Sequence, residues 1–96
     1  MTIRITQTAV PVTTTSTPIC TDNPGRVYLA WMVVGTADVT VSSGSAPAVV
    51  GSGFVYQASG ASKQGASQEF PTGVPTNAFQ AIAAATGSTI LVWEGV

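Results

Sequence analysis

The chain has 96 residues, of which only 7% are charged, with a net charge of −1 and no histidine. A typical soluble domain is about 25% Asp, Glu, Lys and Arg, so imidazole acid–base chemistry is excluded and the surface is poorly defended against association. The length allows one compact core, burying about 64% of the unfolded chain's surface, and the 45% hydrophobic content is unlike that of a disordered chain.

Residues 2–18 carry threonine at positions 2, 6, 8, 13, 14, 15 and 17 and proline at 11 and 18, a composition that favours extended backbone over helix. Ile3 and Ile5, then Val10 and Val12, alternate with neighbours as in a half-buried strand. The segment is either an edge strand or an arm outside the globule, and Pro11 predicts two short extended pieces. Residues 1–17 are therefore set apart as arm or edge strand, and 18–96 form a single β-sandwich domain. Cys20, the single cysteine, has no intramolecular disulfide partner and is expected as a small buried side chain.

Asp22-Asn23-Pro24-Gly25 is a dense turn signal. The run from Arg26 to Val34 is then apolar at nearly every position. As a strand it sets Val27, Leu29, Trp31 and Val33 on one face and Tyr28, Ala30, Met32 and Val34 on the other, and both faces need covering. A turn at Gly35-Thr36-Ala37-Asp38 leads into alternating Val39-Thr40-Val41-Ser42, and the pair reads as a hairpin. Residues 43–53 have loop composition, Phe54-Val55-Tyr56 is a short strand candidate, and 60–65 reads as an exposed mobile tip holding Lys63. A further strand is expected over Ser67–Phe70, before the prolines at 71 and 75.

The alanine-rich segment 77–85 has helical propensity, but it runs through Thr86-Gly87 into the β-branched and aromatic Ser88–Trp93. The short Gly-containing link favours two strands joined as a hairpin. Six to eight short strands punctuated by Gly and Pro predict an all-β fold, a small antiparallel β-sandwich or jelly roll with an extended N-terminal arm.

The chemistry-bearing side chains are few. Asp22, Asp38, Glu69 and Glu94 are the only carboxylates, and they read as solvated turn and strand-end charges rather than a catalytic pair. Gly51-Ser52-Gly53 begins like a phosphate loop, but Tyr56 stands where the third glycine belongs. The sequence predicts no cofactor and no metal site, since histidines, a cysteine pair and calcium-loop spacing are all lacking. Arg4, Arg26 and Lys63 make no nucleic-acid surface. The apolar run 27–34 is too short to span a membrane, and the start lacks the stretch of a signal peptide, which predicts synthesis in a cytoplasm. Tyr28, Trp31, Tyr56 and Trp93 offer planar rings for a sugar, although the strongly apolar strands around Trp31 and Trp93 favour packing in the core or at a subunit interface.

One lysine guards no strand edge. Together with the two-faced run at 27–34 and the alanine-rich strand, this predicts a subunit of a homomeric assembly, with the extended start anchoring by strand addition. The Thr-rich beginning, Pro24-Gly25-Arg26-Val27-Tyr28-Leu29, the Gly/Ser-rich middle and the ending from Phe79 to Glu94 together resemble small β-sandwich virion proteins of tailed bacteriophages, the capsid decoration or cement proteins. That resemblance implies a homotrimer on the outer surface of the virion, bound to the major capsid protein at threefold positions and needing no small-molecule substrate. On it, Ile3, Arg4, Ile5, Val10, Val12, Trp31, Phe79 and Ile82 are the candidate capsid or subunit contacts, some of them core positions. The alternative is a glycan-binding or host-adhesion module of a head fibre or tail appendage, which requires an exposed Trp or Tyr pair.

Overall fold

The computed structural model describes residues 3–44, 46–56 and 67–96; the tip expected at 60–65 lies outside them. Eight strands follow in chain order: β1 (Ile5–Val12), β2 (Thr17–Cys20), β3 (Tyr28–Gly35), β4 (Val39–Ser43), β5 (Phe54–Tyr56), β6 (Ser67–Phe70), β7 (Phe79–Ala83) and β8 (Ser88–Gly95). They form two four-stranded antiparallel sheets, ordered β1-β8-β3-β6 and β2-β7-β4-β5. Each strand of the first half pairs with its mirror in the second half: β1 with β8, β2 with β7, β3 with β6 and β4 with β5. A long hairpin wound into two layers has this pattern, so the β-sandwich is a jelly roll.

The winding corrects both expected hairpins. β3 and β4 lie in different sheets, as do β7 and β8, so the turns after β3 and β7 are arches that cross from one layer to the other. The physical reason is visible at the arches themselves. Gly35 takes φ 135°, and a Cβ there would meet the Gly87 carbonyl oxygen at 2.3 Å and the Ser88 Cα at 2.6 Å. The two arches therefore touch backbone to backbone. The buried Ser88 hydroxyl accepts from the Ala37 N–H at 2.9 Å and donates to the Ala37 carbonyl at 2.6 Å, while Ala84 N–H donates to Asp38 O at 3.0 Å. Period-two alternation located the strands, but it carries no record of which layer a turn leads to.

β1 is an edge strand, one of the two expected alternatives, and differs from expectation in being unbroken at Pro11, paired along its whole length with β8. Arg4 and Val96 exchange both backbone hydrogen bonds (3.1 and 3.0 Å), which fixes the antiparallel phase. Thr6, Thr8, Val10 and Val12 then bond to β8, while Ile5, Gln7, Ala9 and Pro11 turn their backbone groups to the open edge. Pro11 has no N–H to lose on that side, so it sits in the strand without breaking it. What was expected as a possible arm is thus built into the sandwich over Ile5–Val12.

Between the layers the core gathers Val12, Ile19, Leu29, Trp31, Val33, Val39, Val41, Tyr56, Phe79, Ile90 and Val92. The Trp31 ring lies 5.0 Å from Phe79, 5.5 Å from Phe70 and 6.3 Å from Tyr56, centroid to centroid. It therefore touches rings from both sheets, in tilted or edge-on geometries worth about 0.5–1.5 kcal/mol per pair beyond their burial. Ala81 and Ala83 of β7, fully buried in the same layer, are small enough to share it with that indole. The strand reading of 77–85 is correct for Phe79–Ala83.

The arch contact gives a test. Replacing Gly35 with Ala forces its Cβ into the second arch, whereas at Gly44 (φ 100°) nothing lies within 4 Å. Gly35→Ala is expected to lower stability by about 3 kcal/mol or more, against about 1–2 kcal/mol for Gly44→Ala. Urea unfolding of the two variants checks the order.

Candidate functional site

A buried polar cluster closes one end of the sandwich. Arg26 is 3% exposed, and its guanidinium is spent entirely inside the chain. Nε donates to Glu94 Oε2 at 2.6 Å, Nη1 to the carbonyls of Pro75 (2.8 Å) and Asn77 (3.0 Å), and Nη2 to the carbonyl of Thr21 (2.7 Å). Asn23 Nδ2 adds a longer bond to the same carboxylate oxygen at 3.4 Å. The expected turn holds its shape through Asn23 Oδ1, which accepts from Gly25 N–H at 3.1 Å. Asp22 Oδ1 accepts from Ala78 N–H at 2.7 Å, and Asn23 N–H donates to Thr76 O at 2.7 Å. Arg26 thus ties the β2–β3 loop and the β6–β7 loop to the end of β8.

Asp22 is exposed in its turn as expected and also accepts a backbone hydrogen bond, while Glu94, half-buried at the end of β8, is more than a solvated strand-end charge because Arg26 is paired with it. Sequence spacing could not pair Arg26 with a residue 68 positions away. The one available signal was an arginine opening an otherwise apolar run, where a buried cation must find carbonyls and a carboxylate.

Beside this cluster a groove of about 320 Å³ runs along the seam between the edge strands β1 and β2. Thr6, Thr8 and Val10 line one wall, Pro18, Ile19, Cys20 and Thr21 the other, and Val92 and Glu94 the floor. Its chemistry is hydroxyl, aliphatic and thiol. Cys20 is half-buried rather than buried. Burial pushes its thiol above the ordinary 9.0, with nearby Arg26 opposing, so at neutral pH it is a neutral thiol and a poor nucleophile.

The outward side chains of the first sheet form a second kind of surface. Residues opposite one another in register share a face: Ile5, Gln7, Ala9 and Pro11 of β1 lie beside Gly95, Trp93, Leu91 and Thr89 of β8. Those in turn lie beside Tyr28, Ala30, Met32 and Val34 of β3, with Ser67 and Glu69 of β6 at the far side. Glu69 is the one charge in this array, and Tyr28 donates its hydroxyl to that carboxylate. The Trp93 indole N–H donates to Gln7 Oε1 at 3.0 Å, which flattens the ring against β1. Ile5 and Val34 are 55% and 42% exposed, and Ile3, beside Gly95, continues the apolar surface at one end. The second face expected for the strand 27–34 is therefore real, and among the described residues no other element is laid over it.

The opposite outer face is treated differently. Thr40 of β4 is buried, and its Oγ1 accepts from Gly51 N–H at 3.0 Å. Ala48 N–H, also buried, donates to Ser16 Oγ at 2.7 Å. The β4–β5 connection thus folds back over its own sheet. Val49, Val50, Phe54 and Val55 remain exposed there; the two valines break the loop composition of 43–53, and Phe54 and Val55 belong to the expected short strand.

The candidate contact residues separate accordingly. Ile3, Arg4 and Ile5 are exposed, and Val10 is half-buried along the groove. Val12, Trp31 and Phe79 are inside the core, which leaves them no surface to offer a partner. Ile82 is half-buried and shares the outer face of the second sheet with Thr40. Of the four aromatic residues considered for a sugar, Trp31 and Tyr56 are buried, while Tyr28 and Trp93 stand on the open face. Burial pushes the Tyr56 hydroxyl above its ordinary 10.0, opposed by the Trp31 indole. That indole N–H makes no well-formed hydrogen bond among the described residues.

Two outcomes follow. Arg26→Met strands the carbonyls of Thr21, Pro75 and Asn77 together with the Glu94 carboxylate, at an expected cost of about 3–5 kcal/mol; Glu94→Gln keeps a hydrogen-bond acceptor and costs less, about 1–3 kcal/mol. Denaturant unfolding reads both. Cys20 and Tyr56 are acids whose neutral forms the fold favours, so their contribution is fully present below about 9 and 10 and is lost as pH rises beyond. The unfolding midpoint should fall with rising pH over that range, and more gently in Tyr56→Phe.

Comparison with protein-family models, with curated proteins and with solved structures found no match.

Proposed function

We propose that the chain is a structural virion subunit that decorates and stabilises a bacteriophage capsid, laying the outer face of its first sheet on the outside of the major capsid protein lattice. The observation that carries this reading is the asymmetry of the two outer faces. One is partly covered by the chain's own β4–β5 connection through Thr40 and Ala48, with Val49, Val50, Phe54 and Val55 left exposed beside it. The other leaves Ile5, Ala9, Pro11, Leu91, Trp93, Met32 and Val34 together in register with one carboxylate among them. An apolar face with so little charge marks an interaction surface. The likeness of the sequence to small decoration proteins supplies the partner. Jelly rolls serve in viral shells and also in lectins, so the fold alone carries no function.

Trp93 and Tyr28 favour a second reading, a glycan-binding module, because they are aromatic residues set diagonally to one another on that same face. The two readings differ in what the face meets. A capsid lattice needs its aliphatic breadth, whereas a sugar needs the rings.

The test uses Val34→Lys combined with Leu91→Lys, which charges the aliphatic half of the face and leaves the rings. Sedimentation with expanded, undecorated capsids should show binding weakened about tenfold or more, since each lysine must be desolvated on docking. Unchanged capsid binding would remove the face from the reading. Loss of binding in Trp93→Ala alone, with a fluorescence response of the wild-type protein to host surface polysaccharide, would favour the glycan module.

A further inference from the structure

We propose that the open edge of β1 is a self-complementary dimer interface, in which two copies of the chain join their first sheets antiparallel across a twofold axis at Gln7. The backbone phase set by the Arg4–Val96 pair turns the N–H and C=O groups of Ile5, Gln7 and Ala9 away from β8. An edge strand that presents such a row is a template for another strand, and soluble proteins ordinarily guard it with lysine or other charge. From Ile5 to Val12 this edge has no charged residue.

Pro11 fixes the register. With the axis at Gln7, Ile5 of one copy pairs with Ala9 of the other, Gln7 with Gln7 and Ala9 with Ile5, so each outward residue from Ile5 to Ala9 exchanges both backbone bonds with its partner. Pro11 then falls at the end of the paired stretch, opposite Ile3. Moving the axis to Ala9 sets Pro11 against Gln7 and forfeits the bonds its N–H cannot make. The same register sets Thr6 opposite Thr8 on the inner face, a favourable cross-strand pair. It also places Arg4 opposite Val10, so the two arginines do not face each other.

The second copy also accounts for the groove. The β1–β2 seam is open toward the free edge, and the partner's β1 would roof it along Thr6 and Thr8. Cys20 and Glu94 bring no net demand for a charged occupant, the first being a neutral thiol and the second held by Arg26. A neutral, hydroxyl-bearing strand such as β1 itself is therefore a fitting cover. A pair built this way carries one continuous eight-stranded sheet and doubles the open apolar face. This inference concerns copies of the chain alone and stands apart from the capsid reading, whose resemblance implies a homotrimer.

The experiment is solution mass by light scattering over a concentration series, on the wild-type chain, Ala9→Pro and Gln7→Lys. Ala9→Pro removes an outward N–H at the kind of site Pro11 already occupies, and Gln7→Lys brings two ammonium groups together at the axis. The expected result is a wild-type mass of two chains, with dissociation raised tenfold or more in both variants while far-ultraviolet circular dichroism stays that of the wild type. A wild-type mass of one or three chains at millimolar concentration overturns the proposal, as does a pair indifferent to Gln7→Lys. Should Ala9→Pro unfold, the Gln7→Lys comparison decides alone.

Discussion

The guanidinium of Arg26 is the contact on which the wound topology depends. A jelly roll brings residues from opposite halves of the chain side by side, and each such meeting costs loop-closure entropy before it returns any contact. Arg26 answers that cost at one end of the sandwich by satisfying carbonyls of Thr21, Pro75 and Asn77 and the carboxylate of Glu94 in one planar fan. An arginine suits the place because five fixed donors can meet four oxygens without rearrangement. At the other end the Ser88 hydroxyl and the close Gly35–Gly87 approach perform the corresponding task between the two arches. Between these ends the Trp31 ring cluster fills the layer.

Much of this was legible in the chain. Alternation at Val39–Ser42 and at Ser88–Trp93, the Asx-type turn at 22–25, and the preference for strand over helix at the alanine-rich segment all rest on local chemistry. The sandwich class followed from them. What local chemistry could not supply was the partner of each strand, because a turn such as Gly35–Asp38 serves a hairpin and an arch equally well. Arg26 and Glu94 were invisible as a pair for the same reason. By composition alone Pro11 predicts a break, yet it is tolerated, since its effect depends on which side of the strand its nitrogen faces, and that phase is set by β8.

The scarcity of charge, first an argument about missing catalytic groups, becomes in the structure an argument about location. Arg26 is internal, Glu94 is spent on it and Asp22 caps a backbone amide. What remains outside is a sheet face and a sheet edge of the same layer, both nearly neutral, meeting along β1. The second layer partly covers its own outer face with the β4–β5 connection, leaving Val49, Val50, Phe54 and Val55 exposed. A sandwich whose outer faces differ in this way has a built-in direction for association.

Amide hydrogen exchange followed residue by residue in dilute and concentrated samples tests this account most directly. It predicts that the amides of Thr6, Thr8 and Val10 are protected at every concentration, because they bond to β8, while those of Gln7 and Ala9 gain protection only as copies associate, and those of β4 and β7 do not change. Gln7 and Ala9 amides that exchange freely at all concentrations, or protection that grows instead on the strands of the second sheet, would contradict it.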